Sequence, residues 1–211
     1  MNYYIEITLL PNPEVGLNFL WSKVFQQLHL GFVEAQQEQG VPIGISFPEY
    51  KLEGHFGVLG SKCRLFSERE EMLAEFLMKQ RLARFLDYVH CTGVRPVPEK
   101  ITGYSVYKRF RPKNNPERLA RRYAKRHGLD ADAAWCEPVQ LKKQEGEVTY
   151  STSFRYCDMK RQRVEFPFIR LKSLSADATF CLWVERQQVQ EPLDGFFGTY
   201  GLSSSCTVPE F

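Results

Sequence analysis

No apolar run in this 211-residue chain reaches the ~18 residues needed to cross a bilayer, so the sequence offers no transmembrane helix. The opening MNYYIEITLL lacks a basic n-region and a small-residue cleavage site, and no signal peptide is expected. The six cysteines, Cys63, Cys91, Cys136, Cys157, Cys181 and Cys206, stand far apart with no CxxC pair. That suits reduced cytoplasmic thiols better than a disulfide framework or a zinc site. GHFGVLGSK does not have the spacing of a phosphate-binding loop. No H-E-x-x-H motif or cluster of histidines and carboxylates occurs, so two-metal cleavage has no visible ligands and neither metal nor cofactor is expected. There is no internal repeat. Disorder is also excluded, because 43% of residues are apolar and 25% are charged, as in ordinary globular domains. The length fits one large domain or two small ones.

What is present begins with a strand pattern. Tyr3, Ile5, Ile7 and Leu9 alternate with Tyr4, Glu6, Thr8 and Leu10, until Pro11 and Pro13 end the run. Leu17, Leu20, Val24 and Leu28 recur at helical spacing and predict a helix over about 16–38. VPIGISF and FGVLGSKCRLFS read as second and third strands. Ser67 with Glu70 suggests a capping box ahead of the helix EEMLAEFLMKQRLARFL, and YVHCTGV reads as a fourth strand. The order β-α-β-β-α-β is the ferredoxin-like pattern, shared with RNA-recognition folds. The expectation is an α+β protein with a ferredoxin-like (RRM-like) domain at 1–95. VRPVPEKITG at 94–103 reads as a linker to an α/β half at 104–211. That half holds a strand at 104–110, a basic helix and a polar, poorly patterned region at 137–163. Strands at FPFIRLKS and TFCLWVERQ follow, then a tail rich in glycine, serine and aromatics.

The charge distribution carries the first functional signal. Between Lys108 and Arg126, nine of nineteen residues are Lys or Arg and Glu117 is the only acid, a segment charge of +8. The whole chain carries +3, so the remainder carries −5. Asn115 fits an N-cap, Pro116 the first helical position, Glu117 the positive end of the helix dipole and Gly128 the stop, predicting a helix over 116–127. At about 100° per residue, Arg118, Arg121, Arg122, Lys125 and Arg126 fall within an arc of roughly 140°. Leu119, Ala120, Tyr123 and Ala124 take the other side. A merely solvated face would mix signs, because like charges at i,i+4 repel. A membrane-surface helix would need a larger apolar side.

A phosphate backbone is the best partner for such a ridge, since arginine's planar fork suits phosphate geometry. A twelve-residue helix is ~18 Å long and could lie along the deep major groove of A-form RNA, where bases cannot be read. Arg109 and Arg111 just upstream, two apart on a strand and so on one face, are placed to read guanine instead. A DNA-binding reading lacks a helix-turn-helix or dimer signal.

Several blocks, in this order, resemble one family, the CRISPR-associated endoribonucleases of type I-F systems. They are YYIEITLLPNPE followed by KVFQQLH, then GISFPEY, LGSKCRLFS, NPERLARRYAKRH, LKSLSADATF and YGLS near the end. The resemblance covers nearly the whole chain. It implies a prokaryotic cytoplasmic enzyme that binds the hairpin of CRISPR repeat RNA and cuts at its 3′ base. It implies attack by the upstream 2′-hydroxyl without a metal, leaving a 2′,3′-cyclic phosphate. The enzyme is then expected to stay on the mature guide RNA among the other subunits of the surveillance complex.

The resemblance also assigns residues. His29, which by itself could be a packing residue at the edge of a helix, becomes the catalytic base. Histidines in general titrate near neutrality, as deprotonating a hydroxyl requires. Ser173 is expected to hold the attacking 2′-hydroxyl, Ser175 to orient ribose or phosphate, and Tyr200 to support the histidine. Phe180 is expected to stack on the closing base pair, although it could equally belong to the core. Lys113 and Asn115 join Arg109, Arg111 and the ridge residues as expected RNA contacts. Where the family carries Arg-x-Gln, this chain has Arg109-Phe110-Arg111, which predicts a different base reading near the foot of the hairpin. The 137–163 segment is longer than the family's. A subunit that caps the guide-RNA hairpin without cutting is the alternative reading.

Overall fold

The computed structural model describes residues 1–54, 56–78, 81–112, 115–145, 148–160, 163–173, 176 and 178–211. The chain packs as two compact units, Met1–Phe110 with Glu165–Phe211, and Arg111–Val164.

The first unit starts with β1 (Tyr3–Leu9), whose Ile5, Ile7 and Leu9 are buried as the alternation predicts. Helix α1 (Leu17–Glu34) buries Leu20, Trp21, Val24, Phe25, Leu28 and Phe32, and it ends before the expected stop near residue 38. β2 (Gly44–Ser46) follows, then a small hairpin of β3 (Lys51–Glu53) and β4 (Phe56–Val58), then β5 (Lys62–Ser67). Helix α2 (Glu70–Met78) is shorter than its apolar pattern suggests, and Ala83–Phe85 form a 3-10 turn that brings Leu82 and Phe85 back onto the core. Ser67 ends β5 rather than capping α2; its hydroxyl accepts a long 3.4 Å bond from the Arg69 N–H. β6 (Val89–Cys91) and β7 (Arg95–Pro96) both pair with β1. The main sheet runs β2-β5-β1-β6, every pair antiparallel.

A second sheet in this unit runs β11-β12-β8-β13, built from β8 (Gly103–Phe110), β11 (Phe168–Lys172), β12 (Thr179–Val189) and β13 (Val208–Glu210). One buried cluster joins both sheets, from Ile5 and Phe47 to Tyr107, Leu171, Leu182 and Val208. The Tyr107 hydroxyl donates within reach of the Phe47 carbonyl (3.2 Å) and the Glu210 carboxylate (2.8 Å), and burial pushes its pKa well up. Packing therefore groups the chain differently from a division into 1–95 and 104–211. The first residues of the expected linker are strand β7.

The second unit holds α3 (Pro116–His127), α4 (Ala131–Cys136) and a hairpin of β9 (Val139–Glu145) and β10 (Val148–Phe154). The hairpin replaces the unpatterned segment expected at 137–163. Its small core is Ala120, Val139 and Tyr156, flanked by Leu119, Tyr123, Trp135 and Phe154.

Candidate active site

The glycine-rich tail builds one wall of a site in the first unit. Residues 198–201 form a tight turn, with the Gly201 N–H donating to the Gly198 carbonyl at 2.8 Å. Gly201 has φ +67°, and a Cβ there would lie 2.8 Å from the Phe32 ring. Its carbonyl accepts from the Ile45 N–H at 2.9 Å. Only glycine combines that backbone with that approach, so the turn is seated directly on the core.

The seated turn points the Thr199 carbonyl and the Tyr200 ring at α1. His29 Nδ1 lies 2.6 Å from the Thr199 oxygen. A carbonyl only accepts, so Nδ1 carries the hydrogen and the neutral ring keeps its lone pair on Nε2. The Tyr200 ring lies parallel to the imidazole, centroids 4.3 Å apart and planes 8° apart. Leu28, fully buried beside it, anchors this stretch of α1. Two contacts and a buried neighbour thus hold one imidazole in one orientation.

Helix α1 packs along β11, which brings the residue after that strand, Ser173, to the same place. His29, Ser173, Phe180 and Tyr200 line an open concavity of about 280 Å³. The Ser173 hydroxyl accepts from the Ala176 N–H (3.2 Å) and the Ser173 N–H donates to the Ala178 carbonyl (2.8 Å). Phe180 is half-buried and meets Tyr200 edge-on at 6.4 Å, so it serves core and concavity together. The Arg109 guanidinium lies over both rings, 5.2 Å from Phe180 and 5.3 Å from Tyr200. Ser175 and Lys113 lie outside the described residues.

Arg109 lies in β8, whereas Arg111 falls just after the strand. β8 ends at Phe110, because Pro112 disfavours continuation, and Arg111 is exposed beyond it. Lys108, counted in the basic segment, pairs with Glu185 at 3.1 Å. Among the described residues, no three His, Cys, Asp or Glu side chains converge to hold a metal ion.

In the second unit, α3 has the expected ends. Asn115 Oδ1 accepts from the Arg118 N–H at 2.9 Å, and Gly128 takes the left-handed conformation at φ 65°. The Asn115 oxygen is therefore committed to the cap. Ala120 and Ala124 are buried, while Arg118, Arg121, Arg122, Lys125 and Arg126 are all exposed. Among the described residues, none of these five cations has an acidic partner. Uncompensated like charges on one helix face are unfavourable alone and become favourable opposite phosphates.

Sequence reasoning did not find the Thr199 carbonyl, which decides the tautomer of His29. The signal available was the paired glycines of GTYG, a turn mark.

A family model described as CRISPR-associated protein (Cas_Csy4) matches residues 4–211. The protein named CRISPR-associated endonuclease Cas6/Csy4 from Escherichia coli (strain UTI89 / UPEC) is 32% identical, covering 100% of both chains. The protein of the same name from Pseudomonas aeruginosa (strain UCBPP-PA14) is 30% identical, again over 100% of both. A solved structure titled as a Cas6-related gene product of Pyrococcus furiosus aligns over 99% of this chain and 98% of that one, at 11% identity and a TM-score of only 0.35. The family match across nearly the full length, with two relatives of full coverage, means that this chain belongs to the Cas_Csy4 family of CRISPR-associated proteins.

Proposed function

We propose that this protein is a metal-independent endoribonuclease that cuts CRISPR repeat RNA at the 3′ base of its hairpin. The observation that carries this reading is the held imidazole of His29, with Nδ1–H on the Thr199 carbonyl and Nε2 left as the base. Nε2 takes the proton of the 2′-hydroxyl upstream of the cut. The 2′-oxygen attacks the adjacent phosphorus, the P–O5′ bond breaks, and the departing 5′-oxygen gains a proton. The products are a 2′,3′-cyclic phosphate and a 5′-hydroxyl. Tyr200 keeps the imidazole in plane, Ser173 holds the attacking 2′-hydroxyl, and Ser175 orients the ribose or phosphate. Phe180 offers a platform for the last base pair of the stem.

Affinity comes from the ridge on α3, supplemented by Lys113 and Asn115, which neutralises backbone phosphates without reading bases. Arg109, whose guanidinium lies near the Phe180 and Tyr200 rings, is the base reader, and Arg111 adds a phosphate contact. The strand order β2-β5-β1-β6 with α1 and α2 supports a ferredoxin-like domain at the N-terminal end of the chain, and 104–211 supplies the hairpin-binding parts. Retention on the product and entry into a multisubunit guide-RNA complex complete the reading.

The test is to incubate purified protein with its repeat hairpin in excess chelator. Cleavage that vanishes when the attacking nucleotide is 2′-deoxy supports the proposal. Tight binding with the RNA left intact supports the non-cleaving cap instead.

A further inference from the structure

The RNA chemistry proposed above makes no use of the two cysteines of the second unit. The β9–β10 hairpin closes with Val139 opposite Phe154, and three residues outward along each arm stand Cys136 and Cys157. The register thus delivers both cysteines to the open end of the hairpin. Cys136 is the last residue of α4, Cys157 is the middle of a 3-10 turn, Tyr156–Asp158, and these two elements pack on each other. The two thiols lie within hydrogen-bonding reach, both are free, Cys136 is exposed and Cys157 is half-buried. Cys63 and Cys91 make a useful contrast. They flank Ile7 on neighbouring strands, so their Cα atoms are two strand spacings apart, ~9.5 Å, too far to be bridged without moving the backbone.

The unit around Cys136 and Cys157 has a core of only Ala120, Val139 and Tyr156, and α3 leans on it through Tyr123, 5.9 Å from Tyr156. So small a core gains much from a covalent staple. We propose that Cys136 and Cys157 are a reversible disulfide site closed by a peroxide. Cys136, the more exposed, reacts first: its thiolate attacks a peroxide oxygen, the O–O bond breaks, and a sulfenic acid and one water form. Partial burial, the Asp158 carboxylate at 3.8 Å and the Cys136 thiol push the Cys157 pKa up, which suits it to the second step. Its sulfur attacks the sulfenic sulfur, the S–O bond breaks and a second water leaves. Two thiols and one peroxide become one S–S bond and two waters, and a dithiol reductant reverses the change. The bridge ties α4 to the 3-10 turn and shuts the open end of the hairpin.

The test takes the full chain, reduced and then treated with a small excess of hydrogen peroxide, through alkylation, digestion and mass spectrometry. The expected product is a monomer about 2 Da lighter, with Cys136 joined to Cys157 and the other four of the six cysteines alkylated. Dithiothreitol restores the mass. The oxidised chain melts about 5 °C higher than the reduced one, and neither Cys136→Ser nor Cys157→Ser shows the loss of mass or the rise. An unchanged mass, a gain of oxygen without linkage, a bridge between other cysteines or a disulfide-linked dimer overturns the proposal. A bridge at unchanged Tm overturns the stapling of the unit. Mass and melting are read without RNA, so these outcomes stand apart from success or failure of the endoribonuclease reading.

Discussion

Helices α1 and α3 are both amphipathic, and they use that property in opposite ways. α1 buries seven residues and leaves one histidine at the edge of its apolar face. α3 buries three, two of them alanines, and exposes five cations. On the proposed function, His29 is a base that must meet one proton within hydrogen-bond distance, and it sits where a deep core and a second stretch of chain hold it. On the same reading the α3 cations bind phosphates through summed charge at longer range, which a thin core and long side chains can supply. Activity and affinity should therefore be separable by mutation.

The largest expected effect is on the α1 side. His29→Ala should lower the cleavage rate by at least ~10²–10⁴ while hairpin affinity stays nearly native, read by single-turnover kinetics and filter binding. Loss of binding along with cutting would make His29 a packing residue and erase the contrast. Next comes the ridge. With about six phosphates neutralised, log K should fall against log salt with a slope of roughly −5, and each of Arg118→Ala, Arg122→Ala and Arg126→Ala should flatten it by about one. A variant that loses cutting on saturated RNA at an unchanged slope counts against the division of labour.

A smaller effect should come from Gly201→Ala, in the turn that carries the Thr199 carbonyl. The left-handed backbone and the Phe32 ring at 2.8 Å force the turn outward, taking the Thr199 carbonyl from His29. We expect roughly a fivefold slower cut at unchanged affinity, since one positioning hydrogen bond is worth about 1 kcal/mol. On the α3 side, Asn115→Ala should cost about 1 kcal/mol of stability through the lost cap, seen as a lower Tm with little change in the rate of cutting on saturated RNA.

The smallest effect concerns acid stability. Burial tends to raise the Glu6 pKa, but the Arg64 guanidinium at 2.8 Å and Lys62 at 3.6 Å outweigh it and hold it below its usual value. A depressed carboxylate stabilises the fold above the ordinary carboxylate range and loses that contribution as pH falls through its folded pKa. Denaturation midpoints at pH 7 and below pH 4 should therefore converge in part for Glu6→Gln.

Much of the fold is legible in the sequence alone. The alternation of β1, the first helix, both caps of α3 and the exposed arc of Arg118 to Arg126 follow from local rules of periodicity and capping, which do not depend on distant residues. The β9–β10 hairpin is not legible in this way, because Lys142, Lys143, Gln144 and Glu145 mask the alternation of Val148, Tyr150, Thr152 and Phe154 on its partner strand. The apolar pattern overextends α2, since residues at helical spacing also serve a turn that folds back. Arg111 falls outside β8, which ends at Phe110 two residues before Pro112.

The charge ridge, its helix and the family are each written in neighbouring residues, so the linear chain is enough to read them. Which nitrogen of His29 is free, and which residues share its concavity, depends on packing between distant parts of the fold. The groups that settle this, Thr199, Tyr200 and Ser173, come from two stretches far from His29 along the chain. They meet because Gly201 lets a turn rest on Phe32 and because α1 packs along β11.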